Sequence, residues 1–247
     1  MLGLYLSRQV NLEPIEICCD RPLDGSEFEK GGEILLSGWA LSRAGIAFVD
    51  VRLDGQPPSM VTSGLPRPDV DARYPGMPNA PCHGFERRWK PWNPSIGLHN
   101  LIVTAWSRQG ESASVIRSIR IKDVVKVFCD GPAQETTVGI GQLLEIQGWA
   151  VASSGVRDVI VEADGLAPRM AEFGLDRPDV RIYHQEFPDS HRSGYRLTLD
   201  TGSMRPGSHS IRVTAIAQSG ASSVTSVAIK TQPVRANFGT PRAVANE

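Results

Sequence analysis

The 247-residue chain carries 26 lysines and arginines against 27 aspartates and glutamates, a formal net charge of −1, with no basic run. That balance excludes the electrostatic footprint of a nucleic-acid or acidic-membrane partner. Its 24 glycines and 18 prolines favour many short strands joined by turns over a helical protein.

The first ten residues show no basic start followed by a long apolar run. No segment approaches the roughly 18 apolar residues of a membrane span, so a cytoplasmic protein without membrane insertion is expected. The 4 cysteines fit that expectation. Cys18 and Cys19 are adjacent, and the spacings match neither a disulfide framework nor a zinc site. No metal and no cofactor is expected.

Residues 1–13 read as a lead-in. Pro14 to Cys19 alternates apolar residues and opens a first strand, followed by a turn-rich stretch from Asp20 to Gly32. Strands follow at Glu33–Ala40 and Ile46–Leu53. Asp54-Gly55 is a strong hairpin signal, leading into Ser59–Thr62. The long, proline-rich connection Gly64–Cys82 contains Pro68-Asp69-Val70-Asp71-Ala72-Arg73, suited to one helical turn because proline is tolerated at a helix start. Gly84–Lys90, Leu98–Trp106 and Ala113–Ile121 complete about seven strands.

The pattern then recurs at an offset of 110 residues. Gly38-Trp39-Ala40 returns as Gly148-Trp149-Ala150, and Arg67-Pro68-Asp69-Val70 as Arg177-Pro178-Asp179-Val180. Cys19-Asp20, Asp54-Gly55, Gly84-Phe85, Gly97 and His99 find counterparts in Cys129-Asp130, Asp164-Gly165, Gly194-Tyr195, Gly207 and His209. A period this long is a whole small domain. Two modules are therefore expected, at 14–122 and 124–230, with a flexible tail at 231–247. Apolar residues alternate with polar ones along the strands: Val49, Val51 and Leu53 match Val159, Val161 and Ala163. The fold class is all-β, two tandem antiparallel immunoglobulin-like β-sandwiches.

Several constellations invite a functional reading. Trp39 and Trp149 fall on the face opposite their strands' core residues, which calls for a cover, supplied by the long connection, or makes them sugar platforms. Arg67 with Asp69, and Arg177 with Asp179, are suited to pairing with each other or tying the loop to the sheet. Catalysis there would need a second carboxylate or a histidine, yet Asp71 has Arg181 as its counterpart. His99 and His209 share the core phase and read as semi-buried strand-start residues. Module one alone carries Trp89, Trp92 and Trp106, with Tyr74 and His83 near its long loop and Arg87 on a neighbouring strand. These are the candidate ligand-binding residues, suited to a glycan or to a domain contact.

The run Ser37-Gly38-Trp39-Ala40, Gly45-Ile46, Val49-Asp50-Val51, Asp54-Gly55, then Gly64-Leu65-Pro66-Arg67-Pro68-Asp69-Val70 and Tyr74-Pro75, resembles bacterial immunoglobulin-like modules. Such modules occur appended to glycosyltransferases, methyltransferases and other enzymes of surface-polysaccharide assembly. Module two departs at Asp176 and His184. The resemblance implies a non-enzymatic binding or scaffolding protein, accessory to bacterial cell-surface polysaccharide biosynthesis, with a glycan or a glycosyltransferase or methyltransferase as partner. The alternatives are a carbohydrate-binding module with its site on module one, and an enzyme acting through the Arg-Pro-Asp-Val loops.

Overall fold

The computed structural model describes residues 14–78 and 82–234. The lead-in 1–13 and all but the first residues of the tail lie outside the described residues. The chain divides into two compact units, the first ending at Lys122 and the second beginning at Asp123.

Unit 1 contains β1 (Glu16–Arg21), β2 (Glu27–Glu29), β3 (Ile34–Leu41), β4 (Ile46–Leu53), β5 (Ser59–Leu65), α1 (Pro68–Arg73), β6 (Gly84–Trp89), β7 (Gly97–Ser107) and β8 (Ser112–Lys122). One layer runs β1-β3-β6-β5 and the other β5-β4-β7-β8-β2. β5 serves both, pairing with β4 through Ser59–Val61 and with β6 through Thr62–Leu65. β2 pairs parallel to β8. The turn-rich reading of Asp20–Gly32 missed β2, because three residues are too few to show alternation.

Unit 2 contains β9 (Val125–Gly131), β10 (Thr136–Gly139), β11 (Leu143–Ala152), β12 (Val156–Ala163), β13 (Arg169–Met170), β14 (Glu172–Leu175), α2 (Pro178–Tyr183), β15 (Gly194–Asp200), β16 (Gly207–Ala217) and β17 (Ser222–Gln232). Its sheets run β9-β11-β15-β14 and β13-β12-β16-β17-β10. The single crossing strand of unit 1 is here two pieces, β13 and β14. β17 continues to Gln232, past Lys230, because buried Thr231 still pairs with Gly207 on β16 and Val138 on β10.

Each unit is an immunoglobulin-like sandwich with its own core, antiparallel except where β2 pairs with β8 and β10 with β17. Leu36, Val51, Leu101, Val103 and Ile119 fill the first; Ile146, Val161, Ile211, Val213 and Ile229 fill the second at equivalent positions. Each such side chain contributes about 1.5–3 kcal/mol over remaining exposed. The hairpin turn needs a left-handed residue after β4, and Asp54 adopts it at φ 48°. Its carboxylate then accepts the Asn100 N–H at 2.8 Å, fixing the turn to β7.

Candidate functional site

The long connection is fastened to the sheet by one arginine. Arg67 Nε and Nη2 donate to the two carboxylate oxygens of Asp69 at 2.8 and 2.6 Å. Nη1 donates to Asp20 Oδ2, at the end of β1, at 2.7 Å. In unit 2, Arg177 makes the same bonds to Asp179 at 2.9 and 2.7 Å and to Asp130 at 2.6 Å. Two parallel bonds from a planar fork fix orientation as well as distance. The arginine stem lies over Gly84 or Gly194, where an added Cβ would come within about 3 Å of Arg Cγ. Asp20 and Asp130 are the members that sequence reasoning left out of the set. Their recurrence at the same offset was the available signal.

The arginine bonds hold the Asp69 and Asp179 carboxyls down to about 2, from an ordinary value of 3.8. A depressed carboxyl stabilises the fold fully above about pH 4, and the contribution fades as pH falls from there towards 2. Acid titration followed by NMR should shift and broaden the Val70 and Val180 amide signals across that window, while those of core Val103 and Val213 hold. Simultaneous movement of all four would mean that the loops have no separate acid transition.

Each guanidinium faces two carboxylates, engaging both oxygens of Asp69 or Asp179 and one oxygen of Asp20 or Asp130. α1 and α2 follow directly, each with proline in the first turn and one buried residue, Val70 or Val180.

These short helices cover the tryptophans. Trp39 and Trp149 are half-buried on the outer side of their sheets. The Trp39 ring lies 5.6 Å from that of Tyr74, just after α1. Trp149 lies 5.0 Å from His184, just after α2, and 6.0 Å from Phe128. In unit 2 buried Val151, Val180 and Phe187 complete a small apolar cluster with Trp149.

Three histidines sit beside carboxylates: His83 by Asp71, His99 by Asp54 and His184 by Glu186. His99 Nδ1 is 2.6 Å from Asp54 Oδ2, and its Nε2 is 2.9 Å from the Ser95 carbonyl oxygen and 3.4 Å from Ser95 Oγ. Serine, histidine and aspartate thus meet in space, which no sequence motif announced. The nearer partner of Nε2 is the carbonyl, so the ring braces the loop rather than activating the hydroxyl. His209 does likewise, with Nε2 2.7 Å from the Arg205 carbonyl oxygen. His83 Nε2 lies 3.1 Å from Asp71 Oδ1, at ion-pair distance but off the hydrogen-bonding direction.

The six candidate ligand residues do not form one site. Trp89 is 6% exposed and belongs to the core with Phe85, whose strand phase it shares. His83 is buried and faces Asp71. Arg87 is half-buried, and its Nη1 donates to the Met60 carbonyl on neighbouring β5. Tyr74 is engaged with Trp39. Trp106 stacks on Phe48 at 5.7 Å and donates Nε1–H to buried Asp50 at 2.8 Å. Trp92 stands apart at 85% exposure. It precedes Gly97 on the connecting loop, whereas Trp106 lies at the far end of β7. At roughly 3.4 Å per residue the strand between them spans about 30 Å.

Among the described residues no helix is long and apolar enough to cross a membrane, and no cluster of three or more metal-ligating side chains is present. Cys18, Cys19, Cys82 and Cys129 are all free thiols. Burial pushes the Cys19 thiol up to about 11.

No protein-family model and no curated protein matches the chain. Among solved structures it is similar to fibronectin(III)-like modules of Clostridium thermocellum CbhA. That match has 18% identity and a TM-score of 0.31, and covers 88% of this chain and 95% of that one. The titin domains Z1Z2, solved in complex with telethonin, match at 14% identity and TM-score 0.36, with 89% and 98% covered. A tetra-tandem repeat from the extending region of a large adhesion protein matches at 14% identity and TM-score 0.37, with 88% and 48% covered. The fold assignment rests on the strand order described above, and none of these likenesses brings a function to the chain.

Proposed function

We propose that the protein is a non-catalytic binding or scaffolding protein, accessory to bacterial cell-surface polysaccharide assembly and acting in the cytoplasm. The observation that carries the non-catalytic part is the duplicated clamp. Every charged group of the shared Arg-Pro-Asp motif is engaged in holding a loop to a sheet, twice, with nearly the same distances. A motif built this way makes a stable platform and leaves recognition to residues that differ between the units. The unpaired thiols suit a reducing compartment. The link to polysaccharide assembly rests on the resemblance of the motif run.

The test is affinity electrophoresis of the full chain through gels containing surface polysaccharide from its source, beside a reducing-end assay on the same material. A parallel arm asks whether the immobilised chain retains the glycosyltransferase activity of that source. Retardation or retention without new reducing ends is expected. New reducing ends would overturn the non-catalytic part; free migration together with no retention would overturn the binding part.

A further inference from the structure

Resting on that binding reading, we propose that the β6–β7 loop of unit 1 is a sugar-stacking site, with Trp92 as its platform and the pyranose ring of a neutral glycan as its ligand. Trp92 is the most exposed large apolar side chain among the described residues, at 85%. It is not loosely held. Pro91 and Pro94 on either side are buried, and Asn93 takes a left-handed turn at φ 34°. Gln56 Nε2, from the β4–β5 hairpin, donates to the Trp92 carbonyl at 2.9 Å. Further along the loop His99 grips the Ser95 carbonyl and Asp54 together. One hairpin thus braces the loop backbone on both sides of the tryptophan. A pre-ordered loop lowers the entropy cost of binding.

The fold does not require this tryptophan. Its counterpart in unit 2 is Gly202, and the equivalent loop closes through bonds of its own. Thr201 Oγ1 donates towards the Gly139 and Gln142 carbonyls at 3.0 and 2.8 Å, and the Gly202 N–H donates to Asp200 at 2.8 Å. An exposed aromatic on a loop that closes without it is free to take a ligand. The surroundings choose which. A sugar ring offers an aliphatic C–H face to the indole and hydroxyls to polar neighbours; exposed Lys90, Asn93 and Ser95 lie within three residues of Trp92, and Gln56 bonds its carbonyl. A nucleic-acid base would need a continuous basic track for its phosphates; of Arg87, Arg88 and Lys90 just before Trp92, Arg87 is already bonded to the Met60 carbonyl, and the chain as a whole carries a net charge of −1.

The experiment titrates the full chain with hexasaccharides of glucose, mannose, galactose and N-acetylglucosamine, following tryptophan fluorescence. At least one should bind with a blue shift. Trp92→Ala should weaken that binding at least tenfold and Trp92→Phe about threefold, while Trp106→Phe changes it less than twofold. The melting temperature of Trp92→Ala should match the parent, as suits an exposed side chain. Binding by Trp92→Ala equal to the parent would overturn the site while leaving the wider binding reading intact. Failure of all four sugars would overturn the ligand class, and retention of glycosyltransferase activity would then decide the wider reading separately.

Discussion

Gly148→Ala is expected to lower the melting temperature of unit 2 by about 10 °C or more. A Cβ at Gly148 would sit inside contact distance of the Phe128 carbonyl oxygen and 2.6 Å from the Tyr195 hydroxyl oxygen. Neither neighbour yields easily. Phe128 is held in β9 by its pairing with Trp149 on β11, and Tyr195 is 1% exposed, its hydroxyl donating to that same carbonyl at 2.9 Å. Overpacking of a filled core costs about 1–3 kcal/mol, and more where backbone must move. For a domain of this size that corresponds to the stated drop. Gly38→Ala should act alike in unit 1, where the Phe85 ring and the Cys18 carbonyl replace tyrosine and Phe128. A calorimetric scan showing an unchanged unit 2 transition would refute the close-approach account of the repeated glycine.

Trp149→Ala should cost about 2–3 kcal/mol, below the 3–5 of a fully buried aromatic because the ring is half-covered. Its removal opens the cluster of Val151, Val180 and Phe187, so the loss should appear first around α2. Denaturant unfolding that finds less than about 0.5 kcal/mol would show that the ring does not support its cover.

The repeat made the architecture legible. Matching alternation in Val49–Leu53 and Val159–Ala163 fixed which face is core, and the same phase correctly turned Trp39 and Trp149 outward. The one-turn helix was legible from Pro68-Asp69-Val70 because proline's fixed φ suits a helix start. What the sequence did not show were contacts between residues distant along the chain. The partner that carries the arginine clamp across to β1 is Asp20, far upstream, and Asp50 meets Trp106 only because β4 and β7 pair in that register. The candidate ligand residues were gathered because module one alone carries those aromatics, whereas the length of β7 separates the loop of Trp92 from Trp106. Trp89 shares the strand phase of Phe85, and that phase, which offered core as the alternative to a ligand surface, decides its place.

The most direct test of the clamp is hydrogen exchange on Arg177→Met, which keeps the stem over Gly194 and removes the charge. The amides of Arg181 and His184 bond to the Arg177 and Val180 carbonyls within and just after α2. If the clamp holds the loop, their protection should fall at least tenfold while Val213 and Ile229 in the sandwich keep theirs. Unchanged protection at Arg181 and His184 would contradict the account, and would return Arg177, Asp130 and Asp179 to the residues available for chemistry.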